Sequence, residues 1–426
     1  MAAPSVVVIG AGQGGTDTAA ALRGRGFTGR ITLVGDESVL PYQRPPLSKG
    51  YLTGATAGEE LELRPGSFFA DQDIELVSGD RAELIDPEDR TVALSSGRSL
   101  RYDELVLATG ARPRTLPVPG ALLPGVLTLR GVEDAERLRG PLTAACRLHV
   151  VVVGAGFIGL EVAATARELG HTVTVVEAAH RAMARVVTDV MSARIVREHR
   201  AQGTRVLMRR ELVALHEDAS GHVREAELNG GERIPADLVV VGVGVLPNTD
   251  LAAAAGLLVG DGVIVDARLR TSDPAISAIG DCARFPSPHA GRHLRLESVQ
   301  NASDQARCVA AAICGEDVTY GAVPWFWSEQ YALRLQIAGL TGNHDTTVTL
   351  GEPDGDRLSV LCFREGRLTG AESVNRPADH AIVRRLLAAG TGLTPREAGR
   401  PGFDLKTYVL QSASPSTAPV ERPVHA

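Results

Sequence analysis

Lysine is almost missing from this sequence: of 44 Lys and Arg residues, only Lys49 and Lys406 are lysine. Arginine therefore supplies nearly all the positive charge, and the lysine inside "PYQRPPLSKGYL", residues 41–52, needs its own explanation. Cysteine is scarce as well. Cys146, Cys282, Cys308, Cys314 and Cys362 are scattered, odd in number and without a CxxC spacing, which suits buried thiols in a reducing cytoplasm and offers neither a disulfide framework nor a metal site. No apolar run reaches the roughly 18–20 residues of a membrane span. No basic segment precedes "SVVVIG", so that run reads as a buried strand and not as a signal peptide. Positive charge is not in excess either: a net charge of −7 argues against nucleic acid as a partner. The 44% apolar and 22% charged residues and the 46 glycines fit a soluble globular α/β protein. Its 426 residues allow about two to four domains.

The glycines gather in two places that matter. In residues 5–15, "SVVVIGAGQGG", an apolar strand runs into Gly10, Gly12 and Gly15 at GxGxxG spacing, with Gly14 between them. Alone, that spacing is weak in a glycine-rich chain. Here a helical stretch, "TDTAAALRGRG", and a second strand, "RITLVGDE", follow, and Asp36 stands about 20 residues beyond the last glycine. In such a unit the glycines permit a tight turn and close backbone approach, a pyrophosphate sits at the helix N-terminus, and the carboxylate accepts ribose hydroxyls. The pattern repeats in residues 149–159, "HVVVVGAGFIG", with Gly154, Gly156, Ile158 and Gly159, a helix in "LEVAATARELG" and a strand "TVTVVE" ending at Glu177. Two units predict two dinucleotides, one resident and one that exchanges.

Each unit is followed by a strand that leaves into glycine, around Thr109 and Gly110 in "DELVLATGARPR" and around Gly242 and Gly244 in "DLVVVGVGVLPNTD". These crossovers predict a discontinuous domain, residues 1–112 and 245–322, with residues 113–244 inserted in it. In "PAISAIGDCARF" another strand ends at Gly280 and Asp281. A carboxylate there faces the ligand crevice of an open α/β sheet, although Asp281 by itself would read as a helix cap. Further on, "QYALRLQIAGL" alternates Leu333, Leu335 and Ile337 with Arg334 and Gln336, the pattern of a half-buried strand. Strands around Gly366 and an amphipathic helix in "ADHAIVRRLLAAG" complete a third domain, residues 323–408. Residues 409–426, rich in Ser, Pro and Ala, read as a disordered tail. The expected fold class is α/β: two nested Rossmann-like dinucleotide-binding domains plus a C-terminal α+β domain with an antiparallel sheet.

Taken in order, "PYQRPPLSKGYL", "FIGLEVAATARELG", "VGVGVLPNTDLA", "AIGDCARF", "ESVQNASDQAR" and "PWFWSEQY" resemble the FAD-dependent ferredoxin reductases of bacterial oxygenase systems, the putidaredoxin and rhodocoxin reductase type, which share the glutathione reductase fold. The resemblance implies that Gly10, Gly12, Gly14 and Gly15 hold the FAD pyrophosphate, with Asp36 on the adenosine ribose and Ala82 near the adenine. Arg44 and Lys49 would lie along the cofactor, Thr109 and Gly110 beside it, and Arg130 against its phosphates or ribityl side. Asp281 would bond the ribityl chain, Val299 would bring a helix N-terminus to the pyrimidine edge, and Trp327 would approach the isoalloxazine. Gly154, Gly156, Ile158, Gly159 and Gly244 would take the nicotinamide nucleotide. Glu177 should favour the 2′-hydroxyl of NADH over the 2′-phosphate of NADPH, while Arg181, four residues on, could reach a phosphate.

Glutathione reductase relatives keep a redox-active cysteine pair soon after the first unit, where this chain has the cysteine-free "LPYQRPPLSKGYL". The resemblance thus implies hydride transfer from NADH to FAD and single electrons onward to a 2Fe-2S ferredoxin, which supplies a haem-thiolate monooxygenase or a ring-hydroxylating dioxygenase. Lys49 and Glu161 are the catalytic candidates, a buried ion pair poising the flavin, although an exposed lysine and a helix-start glutamate are the ordinary reading of two such residues. An acidic ferredoxin predicts a basic docking face, with Arg64, Arg307 and Arg334 as candidates. The C-terminal face is expected to serve docking, leaving the chain a monomer and not a homodimer. A rubredoxin reductase, an NADH oxidase and a redox-signalling flavoprotein are the alternatives.

Overall fold

The computed structural model describes residues 4–390 and 392–412. Two runs of β-branched residues, Ser5–Ile9 and His149–Val153, each sit at the centre of a five-stranded sheet, buried on both faces as fits parallel strands covered by helices. The first sheet has the spatial order Ile276–Ala278, Glu104–Leu107, Ser5–Ile9, Arg30–Val34, Ile74–Val77, all parallel. The second repeats it with Val126–Thr128, Leu238–Val241, His149–Val153, Thr172–Glu177 and Arg205–Met208. Register adds what spacing could not. Ile9 pairs with Val34 and Val153 with Val176, so the structural counterpart of Glu177 in the first sheet is Gly35, and Asp36 lies one residue farther on.

The chain crosses between the two sheets through a short antiparallel ribbon, Ala111–Pro113 against Val245–Pro247. Thr109 and Asn248 clasp it: Thr109 Oγ1 donates to the Asn248 carbonyl and Asn248 Nδ2 to the Thr109 carbonyl, each at 2.8 Å. The third layer is an antiparallel sheet in the order Trp325–Gln330, Leu333–Gly339, Arg367–Val374, Leu358–Arg364, Thr346–Leu350. Leu333, Leu335 and Ile337 are buried and Arg334 is exposed, as the alternation requires. The helix Asp189–Ala201 fastens this layer to the second sheet's domain, Arg194 Nε donating to the Gly355 carbonyl at 3.0 Å and Arg197 Nη2 to that of Pro353 at 3.0 Å.

Residues 409–412 of the expected tail belong to a helix. The helix Leu405–Ser412 runs through that boundary because Leu405, Tyr408 and Val409 pack on the C-terminal core. The rest of the expected tail lies outside the described residues.

Candidate functional site

Both glycine fingerprints fold alike, and their glycines divide the work. Gly10 and Gly154 take positive φ, 108° and 102°, where a side chain would be strained. A Cβ on Gly15 would lie 1.9 Å from the Gly10 carbonyl oxygen, and one on Gly159 2.2 Å from that of Gly154. The middle glycines face space: nothing lies within 4 Å of a Cβ on Gly12, and only the Gly242 oxygen, at 3.9 Å, near one on Gly156. The helices that begin there, Gln13–Gly24 and Phe157–Glu168, have no side-chain cap, which leaves their first N–H groups to a ligand. Open space over uncapped amides fits a pyrophosphate at each loop, so the chain can hold two dinucleotides.

Around the first loop, residues far apart in sequence converge. Arg130 Nη2 pairs with Asp281 Oδ2 at 2.9 Å, and a Cβ on Gly110 would stand 3.4 Å from the same nitrogen. Asp281 is therefore an ion-pair partner in the cleft and caps no helix. Gly14, Gly110, Gly280 and Asp281 line one cavity. Arg44 is committed to protein: it donates to the Arg130 carbonyl at 2.7 Å and pairs with Glu37 at 2.6 Å. It positions Arg130, and Glu37, passed over in the sequence, positions it. Asp36 is exposed and has no protein partner among the described residues, which leaves its carboxylate open to a ligand. The segment leading to Ala82 runs beside it, with Gly79 and Asp80 donating to the carbonyls of Glu37 and Gly35. Thr109 spends its hydroxyl proton on the ribbon clasp. Val299 does open a helix, Val299–Ile313, capped by Ser298. Cys282 is fully buried with carbonyl partners, and burial pushes its thiol up, away from the reactive thiolate.

The stretch that poses the lysine question folds as a 3₁₀ turn, Pro45–Ser48, followed by the short helix Gly50–Thr53. Prolines at the first two positions of the turn cost no hydrogen bonds there. The turn delivers Lys49 Nζ to 2.6 Å from Glu161 Oε2, and Glu161, on the first turn and a half of the helix Phe157–Glu168, is only 4% exposed. Ser48 Oγ adds a bond to Oε2 at 2.6 Å and Ser328 Oγ one to Oε1 at 2.7 Å. The ordinary reading of two unrelated surface residues does not hold: the pair joins the turn Pro45–Ser48 to the helix that follows the second fingerprint.

On the nicotinamide side, Glu177 is aimed by backbone. Ala155 N–H donates to Oε2 and Ala179 N–H to Oε1, both at 2.7 Å, so the carboxylate is fixed at the lip of the glycine loop. Arg181 turns away to Asp189 and to the carbonyls of Ala184 and Val187. Ile158 leaves 43% of its surface open. Arg114 and Arg185 flank Gly244, a Cβ there lying 3.9 Å from Arg114 Nε and 3.5 Å from Arg185 Nη2. Neither arginine side chain has a partner among the described residues, and no sequence motif marked them.

Comparison with known proteins agrees. Residues 4–306 match the pyridine nucleotide-disulphide oxidoreductase family and residues 325–409 a reductase C-terminal domain. The chain belongs to the pyridine nucleotide-disulphide oxidoreductases. It is 50% identical to rhodocoxin reductase of Rhodococcus erythropolis over 407 residues, covering 96% of this chain and 95% of that one. A crystal structure of a ferredoxin reductase from Rhodopseudomonas palustris superposes with a TM-score of 0.92 at 49% identity, over 95% of this chain and 99% of that one. The reductase in a covalent putidaredoxin reductase–putidaredoxin complex gives 0.93 at 38%, over 97% and 100%. The chain is an FAD- and NAD(P)H-dependent oxidoreductase of the ferredoxin reductase type, and no helix among the described residues is long and apolar enough to cross a membrane.

For a pyridine nucleotide-disulphide oxidoreductase whose electrons leave the chain, the exit matters. Trp327 stacks at 5.5 Å on Trp325, which meets His380 at 5.7 Å and carries the Arg384 guanidinium 4.9 Å from its ring centroid. Trp325 N–H donates to Gln300, so this edge adjoins the helix that starts at Val299. Burial, with Arg384 adding to it, pushes His380 down to about 4, so Arg384 is the cation of the cluster at neutral pH. The three expected docking arginines are exposed. Arg307 pairs with Asp304, Arg334 with Glu329 at 2.9 Å, and Arg64 lies over Phe68. Arg384 has no carboxylate partner among the described residues. Charge counts in the sequence could not reveal which arginines were already neutralised.

Proposed function

We propose that the chain oxidises NADH and passes electrons one at a time to a small acidic 2Fe-2S ferredoxin, which feeds an oxygenase. The observation that carries this reading is Lys49 paired to Glu161 where a dithiol would otherwise stand, with Cys282, next to Asp281 of the first cleft, fully buried and its thiol pushed up. With no thiol to receive them, electrons must leave for another molecule. FAD, when bound, supplies the conversion of a two-electron donor into single-electron steps. The chain's residues do the holding. Uncapped amides at Gly12 and Gly156 take the pyrophosphates, and Asp36 and Glu177 take the riboses. Arg130 and Asp281 fix the middle of the first dinucleotide, and Arg114 and Arg185 neutralise the second. Glu177, with both oxygens held toward the loop and Arg181 turned away, favours a 2′-hydroxyl over a 2′-phosphate, hence NADH.

The edge formed by Trp325, Trp327 and Arg384 is the docking face, and its use by a partner favours a monomer. Five free cysteines suit a cytoplasmic setting. The decisive assay is anaerobic reduction by NADH or NADPH in stopped flow, followed by cytochrome c reduction with and without a 2Fe-2S ferredoxin. NADH-dependent turnover that requires the ferredoxin is expected. Turnover on oxygen alone would make the chain an oxidase, and turnover with rubredoxin only would move it to the rubredoxin reductases.

A further inference from the structure

Glu161 is held by more than Lys49, and the additional bonds run in one direction. A carboxylate paired with an ammonium can only accept, so the Ser328 hydroxyl spends its proton on Glu161 Oε1 at 2.7 Å. The Ser328 oxygen must then accept from Gln330 Nε2, 3.1 Å away. That fixes the Gln330 amide with its oxygen toward His199 Nε2, at 2.9 Å, and an amide oxygen demands a donor. His199 is therefore the Nε2–H tautomer with Nδ1 bare. Nδ1 has no partner, and burial pushes the imidazole down toward its neutral form, as this assignment requires. Glu161, Ser328, Gln330 and His199 are all buried, between 0% and 4% exposed. Ser328 and Gln330 point to the same side of the strand Trp325–Gln330 because they are two residues apart.

We propose that His199, Gln330 and Ser328 form a directed hydrogen-bond chain that holds Glu161 in place for Lys49, making Ser328 and Gln330 positioning residues for the reaction. Each donor polarises the next toward the carboxylate, so the chain acts together in a medium where an unmet bond is costly. It also ties the pair to two other parts of the molecule, since His199 lies on the helix Asp189–Ala201 and the serine and glutamine on the C-terminal sheet. The effect on the reaction rests on the reading that the pair lies beside FAD. The chain itself does not.

The scarcity of lysine supplies the test. An amine that gives its protons to a carboxylate is a poor nucleophile, and exposed Lys406 is a built-in reference. The holoenzyme is treated with limiting N-hydroxysuccinimidyl acetate, and acetylation of Lys49 relative to Lys406 is read by peptide mass mapping. Glu161→Gln should raise the ratio, Ser328→Ala should raise it about two- to tenfold, and Ser328→Thr, which keeps the hydroxyl, should restore the parental value. Gln330→Leu, one bond farther away, should raise it less and serves if Ser328→Ala does not fold. General loosening would change both lysines and would not be rescued by threonine. A parental ratio in both Ser328→Ala and Gln330→Leu overturns the chain, as does a parental ratio in Glu161→Gln. A raised ratio with unchanged flavin reduction by NADH keeps the chain and removes the pair from the flavin.

Discussion

Glu372 has no exposed surface, yet it carries a carboxyl group at the seam between two domains. Thr188 donates to it twice, from its N–H at 2.8 Å and its hydroxyl at 2.7 Å. Burial outweighs those bonds and pushes the acid up to about 7. The folded chain thus keeps a proton that the unfolded chain releases in the ordinary carboxylate range, so stability falls as pH rises through the window up to about 7 and levels off above it. Glu372→Gln, a mimic of the protonated acid, should raise Tm by about 2–4 °C at pH 8 and hardly at pH 5. An equal gain at both pH values would contradict this account. Lys49 is a residue of another kind, for which the proposed role is functional. Lys49→Met should retain FAD, read from its absorbance, while flavin reduction by NADH slows about tenfold or more, the effect of roughly 1.4 kcal/mol on a barrier. Unchanged reduction would make the lysine structural. The sequence exposed Lys49 through rarity and Glu161 through resemblance, but Ser328, Gln330 and His199 carry no local signal. Only tertiary packing brings a strand from the third domain to the helix of the second.

Among the elements, the two strand–loop–helix units were the most legible, because a buried parallel strand, a glycine turn and an uncapped helix each leave a mark in sequence. Their differences were not. Spacing gave Asp36 and Glu177 the same role, whereas register makes Gly35 the equivalent of Glu177, and a Cβ on Gly35 would come within 2.7 Å of that of Ala11. Asp36, the proposed ribose ligand of the first unit, therefore stands one residue farther out. The glycines of one loop should also separate by experiment. Gly159→Ala drives a Cβ into the Gly154 carbonyl and should lower Tm. Gly156→Ala meets no atom closer than 3.9 Å and should leave Tm and FAD content alone, while methyl intrusion into the pyrophosphate space raises the KM for NADH about tenfold. Titration by steady-state kinetics checks it, and parallel losses of Tm in both variants would show that Gly156 serves packing.

For the whole molecule, the net charge of −7 means that an acidic partner must find a local exception to the general field. On the proposed docking face that exception is Arg384, which has no carboxylate partner among the described residues. Arg384→Glu should raise the ferredoxin KM several-fold and flatten its dependence on salt while ferricyanide reduction stays intact; reversal at Arg307 or Arg334, already neutralised, should do less. Loss of ferricyanide reduction as well would indicate misfolding. The ribbon joining Ala111–Pro113 to Val245–Pro247 bears on how such a molecule is made. All five strands of the inserted sheet lie between residues 126 and 241, whereas the first sheet waits for Ile276–Ala278 to cover the edge of Glu104–Leu107. On a ribosome adding about 5–20 residues per second, that edge stays bare for a time on the order of ten seconds. The guest is complete before its host, so of the two parallel-sheet domains the one whose translation starts first is the second to finish.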